Sequence, residues 1–544
     1  MGDESIILID DNEKAFDRVE WPWLFHVLEK FGLGDYFVGW IKIMYKNMKS
    51  AVMTNGYVSE YFSLSRGIRQ GDPLSALLYV LQAEALAEAL RCDCRIKGIN
   101  IQDSDGNFHE VKGSQYEDDA NNMLLNIDYI HMCLGLIDNF GEASGSRLNK
   151  SKSLALVSEH FADDQSLEKL VKISRNPEII LGVPIGRGQD KTFFWNKKFD
   201  KMKERILLWK PRNLSMFGKI HLSKSLILPL IQYAAAHIDV DNSFITKTQD
   251  LIWQFIWKWR TCFVSKSVVY LPRISGGLAV PNVEYMIKAA RIKMIINVMS
   301  STQQWNILAT KYLQCLDKVY DIENFALLVT DSSNDLERCK IPIYYKKCLF
   351  AFQELNRLAL VKSDNCILWC NNEIRHKNKV FEFKHWSRNG IKFLSDIIRD
   401  KKISMEHVSN CLNQKPGCAG FMFEYALLVK NFPDSIVASC NPHCYPVFNN
   451  LKYNVPGKSA PVDVLKLTSK DIYLIFAYGN VIERKAEVYW QNKFENVNID
   501  YSLLYKCLFI SKIIPRKALD FNFRIVNGQV LMEKYLVKMK LCNI

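Results

Sequence analysis

The first apolar run of the chain, Ile6-Ile7-Leu8-Ile9, is short, follows a polar start and stops at carboxylates, so it predicts a buried strand with acidic residues at its end. The island that follows is Asp11-Asn12-Glu13-Lys14-Ala15-Phe16-Asp17, with Asp10 immediately before it. From there the period changes. Pro22 suits a first helical turn, and Trp23, Leu24, Val27, Leu28 and Phe31 recur at three- and four-residue spacing until Gly32 and Gly34 interrupt them. Phe37, Val38, Trp40, Ile41, Met44 and Tyr45 predict a second helix in the same way. The period then falls to two, with Ala51–Thr54 and Tyr57–Leu64 flanking Asn55-Gly56, a dipeptide suited to a tight hairpin turn.

Next comes Arg66-Gly67-Ile68-Arg69-Gln70-Gly71-Asp72-Pro73-Leu74-Ser75, where Asp72 predicts an N-cap and Pro73 the first residue of an apolar helix through Leu90. A second acidic island, Tyr116-Glu117-Asp118-Asp119, lies further on. Strand, helices, hairpin and helix in this order predict an α+β fold. Beyond Ser300 helical spacing recurs in Tyr345–Leu360, Ile391–Ile398 and Leu503–Ile514, so residues 301–544 are expected to be mainly helical. No apolar run reaches the ~18 residues that span a bilayer. Even Leu226–Ile238 is broken by Pro229, Gln232 and His237, and no membrane insertion is expected.

Composition narrows the function. A chain of 544 residues, 48% hydrophobic and 24% charged, has room for three or four globular domains. Its 71 Lys and Arg against 58 Asp and Glu leave a net charge of +13, which favours a polyanionic partner such as nucleic acid over an acidic small molecule. Fifteen scattered cysteines behind a start that lacks a secretory pattern fit reduced thiols and an intracellular setting, nucleus or cytoplasm. Cys440, His443 and Cys444 offer donors without a second pair at zinc-finger spacing, so zinc is not expected there.

Carboxylates at strand ends do not stabilise a core. When they converge, their repulsion is offset by divalent cations, and two such ions form the clamp of in-line nucleotidyl transfer. Taken together, the first island, the glutamine-glycine turn at Arg66–Ser75 and Tyr116–Asp119 resemble motifs A, B and C of the reverse transcriptases of non-LTR (LINE-type) retrotransposons. Ser144–Ser153 resembles their motif D, and Leu181-Gly182-Val183-Pro184 their motif E. Trp209, Leu214, Gly218-Lys219 and Leu228-Pro229 resemble a thumb pattern, and Trp257, Leu271-Pro272, Gly276-Gly277-Leu278 and Pro281 the segment after it.

The resemblance implies a right-hand polymerase palm at 1–185, an antiparallel sheet with helices on one face. A helical thumb at 186–240, a post-thumb segment at 241–300 and the helical region at 301–544 follow it. It implies Mg²⁺ or Mn²⁺, an RNA template, a DNA primer and dNTPs; of oligomeric state it says nothing. Asp11, Asp118 and Asp119 match the metal-binding catalytic carboxylates, Asp11 because it stands six positions before Asp17. A one-residue shift would give Asp10 that role instead. Phe16 matches the aromatic gate under the sugar, with core packing as its alternative. Arg69, Gln70 and Gly71 would face the nucleotide, Tyr116 the primer end, and Lys152 would be the proton donor of motif D. Lys197, Lys198, Lys201, Lys203, Arg205, Lys210 and Arg212, interleaved with Trp195, Phe199 and Trp209, could track a backbone.

Two features depart from the family. Glu117 replaces the usual alanine and adds a carboxylate beside two others. The chain also begins almost at motif A, which leads to the expectation that fingers and endonuclease segments are absent and extension is impaired. A noncatalytic nucleic-acid-binding remnant and a two-metal nuclease or phosphohydrolase therefore stand as alternatives.

Overall fold

The computed structural model describes residues 5–158, 165–174, 176–186, 191–257, 264–301, 303, 306–361, 366–399, 402–432 and 445–479, with positions 437, 440, 487–488, 491–492, 500–501 and 503–505. Two compact units divide the chain, Met1–Lys191 and Thr192–Ile544.

In the first unit β1 (Ile6–Asp10) leads to α1 (Trp21–Lys30) and α2 (Asp35–Tyr45). Short strands β2 (Lys49–Ser50), β3 (Met53–Thr54), β4 (Tyr57–Val58) and β5 (Phe62–Ser63) follow. Met53 to Val58 close a hairpin through Asn55 and Gly56, both at positive φ, as that dipeptide predicts. Next come α3 (Ser75–Cys92), the hairpin β6 (Ile99–Gln102) and β7 (Phe108–Val111), then β8 (Gly113–Tyr116), β9 (Asp119–Leu124) and α4 (Ile127–Ser144). β10 (Leu154–Val157), α5 (Gln165–Leu170), β11 (Lys172–Ser174) and the hairpin β12 (Glu178–Ile180) and β13 (Val183–Ile185) complete it.

Five strands form one sheet in the order β11-β10-β1-β9-β8, with the N-terminal strand in the centre. Ile6 and Leu8 point to one face and are fully buried with Ile130, Cys133 and Ile137 of α4 and Leu90 of α3. A second cluster joins Phe16, Leu24, Leu28, Val38, Ile41, Leu78 and Tyr79, so α1, α2 and α3 share a core. The architecture is mixed α and β, and its sheet is antiparallel with one correction to the expectation: β10 and β11 run parallel, because α5 carries the chain back across to the edge.

The second unit is mainly helical. α6 (Lys191–Trp209), α7 (Met216–Leu222), α8 (Pro229–His237), α9 (Asn242–Trp257), α10 (Lys266–Tyr270) and α11 (Val283–Ser300) lead into the helices of the C-terminal region. α11 is apolar on several sides and contributes to two cores: Ile287 packs with α6 to α10, and Ile292, Ile295 and Ile296 with the helix Ile343–Ala359 beyond it. Three two-stranded hairpins interrupt the helices between Arg375 and Asp463. No helix among the described residues is long and apolar enough to cross a membrane.

Three expectations from spacing need correction. In α2 only Val38, Ile41 and Tyr45 are buried, and Trp40 and Met44 face solvent. Ile391–Ile398 is not a helix but a 3₁₀ turn, Leu394–Asp396, followed by a strand. Its three-residue spacing is that of a 3₁₀ turn, and the Asp396 carboxylate accepts from the Lys392 and Phe393 amides to hold it. The third is at Asp72, which does not cap the helix that follows it. The family-like stretches after Asp520 and the His443-Cys444 donors lie outside the described residues, as does most of Leu503–Ile514.

Candidate active site

Strand alternation separates the two aspartates at the end of β1. Asp10 follows Ile6 and Leu8 into the core and is 5% exposed, whereas Asp11 is only partly covered. Asn122 on β9 donates to Asp10 Oδ2 at 2.6 Å, and Asp10 Oδ1 has no partner among the described residues. Burial pushes this carboxyl up to about 8, against the opposing pull of Asn122, so it is a neutral acid at pH 7. A buried neutral carboxyl is a poor metal ligand, and the geometry favours Asp11 for that role.

The same burial makes stability depend on pH. The unfolded carboxyl ionises near its ordinary value while the folded one keeps its proton to about 8, so folded protein binds more protons and stability falls as pH rises between these limits. The loss is about 1.4 kcal/mol per pH unit. Asp10→Asn, which keeps the bond from Asn122, is expected to retain ~2 kcal/mol that the parent loses between about pH 6 and about pH 7.5. Unfolding midpoints at the two pH values check it, and equal pH slopes for both proteins would refute it.

The β1–β9 pairing ends with Asp10 opposite Ala120, so the next residue, Asp11, arrives beside the β8–β9 turn. There Tyr116 pairs with Asp119, and Glu117-Asp118 form the two-residue connection. Asn12 Nδ2 donates to the Asp118 carbonyl at 3.5 Å. The carboxyl of Asp119 is raised by burial, then by the charges of Asp118, Asp11 and Glu117 in that order. Islands 107 positions apart thus meet at one end of the sheet. The second island ends no apolar run, since β8 is exposed along its length. Glu117 holds a left-handed φ of 53°, which a β-carbon disfavours.

Residues 144–153 latch the first island. The Asp11 amide donates to the buried Ser153 hydroxyl at 3.1 Å, and the Asn149 amide donates to the Asp11 carbonyl at 2.8 Å. Glu13 and Glu20 amides donate to the carbonyls of Arg147 and Ser144 at 2.8 and 2.9 Å. The Glu13 carboxylate pairs with Arg18 and Arg147. Lys152 Nζ stands 4.0 Å from Asp11 Oδ2. At the turn after α4, Gly145 has φ 80°, and a β-carbon there would lie 2.4 Å from the Arg18 carbonyl oxygen. Gly145→Ala is therefore expected to destabilise the protein by roughly 2–4 kcal/mol, from the left-handed backbone and the displaced latch together. Urea unfolding checks it, and an unchanged midpoint would mean the latch gives way freely.

Phe16 lies in a 3₁₀ turn, Ala15–Arg18, is buried, and stacks on Tyr79 of α3 with centroids 4.5 Å apart and planes 20° from parallel. Tyr79 is in turn close enough to feel the charge of Asp118. The Ile68 and Gly67 amides donate to the carbonyls of Phe16 and Val19 at 2.7 and 2.8 Å, which pins the glutamine-glycine turn to the same loop. Arg69, Gln70 and Gly71 are exposed, and Tyr116 is 63% exposed. The helix begins at Ser75, not at Pro73: the Ser75 amide donates to the Asp72 carbonyl at 3.1 Å, closing a β-turn with Pro73 at its favoured second position.

Residues 2–189 match the family described as reverse transcriptase (RNA-dependent DNA polymerase). The chain is 28% identical over 350 residues to the transposon TX1 uncharacterized 149 kDa protein of Xenopus laevis, covering 62% of this chain and 26% of that protein. It is 22% identical over 324 residues to the Retrovirus-related Pol polyprotein from type-2 retrotransposable element R2DM of Drosophila melanogaster, covering 56% and 29%. To the corresponding polyprotein from type-1 retrotransposable element R2 of Bradysia coprophila it is 32% identical over 183 residues, covering 33% and 19%. The chain carries a LINE-type reverse transcriptase domain. It spans less than a third of the length of each of these relatives.

The matched segment of the reverse transcriptase domain ends two residues before the limit of the first unit. Among the described residues, no three His, Cys, Asp or Glu side chains stand close enough to cage a metal ion. Mg²⁺ rarely needs such a cage, because one or two carboxylates and substrate phosphates hold it. Asp11, arriving beside the β8–β9 turn, and Asp118, within that turn, are carboxylates of this kind. Sequence reasoning missed Asn122, Tyr79 and the role of Ser153; an asparagine pair just ahead of Met123-Leu124 and a tyrosine in an apolar helix were the available signals.

Outside the reverse transcriptase domain, the basic stretch lies on α6 and the turn after it. Lys198 Nζ sits 5.2 Å from the Phe194 ring centre, Lys203 4.6 Å from Phe199, and the Arg212 guanidinium 4.3 Å from Trp209. Arg205 donates to the Leu226 carbonyl at 2.9 Å. Lys197, Lys201 and Lys210 are exposed. Trp195 is buried and donates to the Asp239 carbonyl at 3.2 Å, so it packs rather than stacks.

Proposed function

We propose that the first unit is the palm of a right-hand polymerase that extends a DNA 3′ end on an RNA template. The observation that carries this reading is the meeting of Asp11, Asp118 and Asp119 beside the Phe16–Tyr79 stack, where burial and then the charges of Asp118 and Asp11 raise the Asp119 carboxyl. Mg²⁺ or Mn²⁺ held by Asp11 and Asp118 would supply Lewis-acid stabilisation of the transferring phosphoryl group. The protein's own groups position the reactants. Arg69 and the exposed backbone at Gln70-Gly71 face the triphosphate, Tyr116 at the turn supports the primer end, and Lys152 Nζ holds a proton for the leaving group. α6 and the turn after it, as a thumb, supply Lys197, Lys201, Lys203, Lys210 and Arg212 to the duplex backbone.

Glu117 favours a second reading, a nucleic-acid-binding protein without turnover, because a further carboxylate crowds the site. Template-directed incorporation of dNTPs on RNA separates the two, and salt-sensitive RNA binding without incorporation would leave the second. Within the first reading, Phe16→Val should lower the preference for dNTPs over rNTPs at least severalfold, by opening space for a 2′-hydroxyl. Unchanged preference would return Phe16 to a packing role against Tyr79.

A further inference from the structure

A cavity of about 530 Å³ opens in the second unit between α7, the turn after it and Arg273. Trp209, Phe217, His221, Ser225, Leu226 and Arg273 are among the residues that line it. Its wall contains a π-helical turn, Ser223–Ile227, joining α7 to α8: the Leu228 amide donates to the Ser223 carbonyl at 3.0 Å, five residues back. Such turns insert an extra residue into a helix and recur at functional sites. Here the widened turn carries Ser225 and Leu226 at the cavity wall, with the Ser225 hydroxyl tied to the His221 carbonyl at 3.0 Å.

The electrostatics of this region are one-sided. Between Lys197 and Lys224 nine Lys and Arg stand against two carboxylates, Asp200 and Glu204. Among the described residues that line the cavity none is acidic. Arg273 lies over the Phe217 ring, its guanidinium carbon 4.4 Å from the centroid, and Lys224 is held below its ordinary range by burial and then by the charge of Arg273. At the cavity wall the Arg273 guanidinium therefore stands against aromatic and apolar surface. The matching ligand is flat and apolar at one end and anionic at the other.

We propose that this cavity binds a single unpaired nucleotide of an RNA or DNA strand. Its base lies among Trp209, Phe217 and Leu226, and its phosphate meets Arg273. A planar guanidinium matches phosphate in fork geometry, and a base inserted against aromatics contributes stacking whatever its identity. A paired base stays in its own stack and cannot enter, so the site selects single strands or frayed ends. The inference does not rest on catalysis at Asp11 and Asp118.

The probe is 2-aminopurine, alone as its riboside 5′-monophosphate and within RNA and DNA single strands and their duplexes, added to the full chain without divalent cations or dNTPs. The monophosphate and single strands are expected to lose fluorescence on binding, and duplexes are not. Gly218→Leu fills the cavity without altering charge and should weaken single-strand binding about tenfold while leaving duplex binding within about twofold. Arg273→Gln should weaken the monophosphate to a similar degree, and Asp118→Asn should change neither. Equal affinity for inorganic phosphate and the monophosphate would reduce the site to a cation cluster and overturn the proposal. So would undiminished single-strand binding by a folded Gly218→Leu protein, or equal quenching in duplexes. Should Gly218→Leu not fold, competition between phosphate and the monophosphate in the parent protein decides alone.

Discussion

Asp118→Asn is expected to reduce RNA-templated primer extension by at least about 10²- to 10³-fold, a size typical of losing one preorganised charge-stabilising group, without lowering the unfolding midpoint. Asp118 sits at the tip of the β8–β9 turn, partly covered, beside Asp11 and Asp119. An amide of the same shape keeps the turn but halves the carboxylate pair available to a cation. It also removes a charge that raises Asp119, so the folded state has less repulsion to contain. Loss of activity with an unchanged or higher midpoint identifies a chemical role. Extension at the parental rate would detach Asp118 from the reaction, and a fall in the midpoint would make the loss a folding defect.

The largest stability effect is expected in the second unit. Asp239 is buried with Arg291, 3.5 Å away, and Lys347, 2.8 Å away. Lys347 also donates to the Val240 carbonyl, and Tyr344 to that of Ala236. One carboxylate therefore serves cations from α11 and from the helix Ile343–Ala359, at the place where Trp195 of α6 meets the same backbone. Arg291 is 6% exposed and cannot turn to water. Asp239→Ala leaves that guanidinium buried with no counter-charge from this position, a loss of about 3–5 kcal/mol. Denaturant unfolding of the full chain measures it. Pairing this change with Arg291→Met should recover part of the loss if the unpaired charge is the cause. A simple sum of the two single effects would refute that mechanism.

Local periodicity read correctly where one face of an element is buried, as in β1 and α1, and where turn chemistry dictates the backbone, as at Asn55-Gly56. It failed where spacing has two readings. The apolar rows of α2 look alike on paper, yet only Val38, Ile41 and Tyr45 meet a partner. Ile391, Leu394 and Ile397 are fully buried at a spacing shared by an α-helix and a 3₁₀ turn. At the site, the choice between Asp10 and Asp11 needed the direction of alternation within β1, which the core contacts of Ile6 and Leu8 supply. The latch from Ser144 to Ser153 was beyond reach because it works mostly through backbone amides and carbonyls, which every residue carries.

The strand order has a consequence for how the protein is made. β1 leaves the ribosome before β9 and β10, yet it lies between them, and neither exists until synthesis has passed Leu124 and Val157. Its apolar residues must wait unpaired while more than a hundred residues are added, several seconds at ~5–20 residues per second. Pairing over such separations is slow, because a long loop must close before any contact rewards it. Ile6-Ile7-Leu8-Ile9 is thus a segment that a chaperone would have to shield during synthesis.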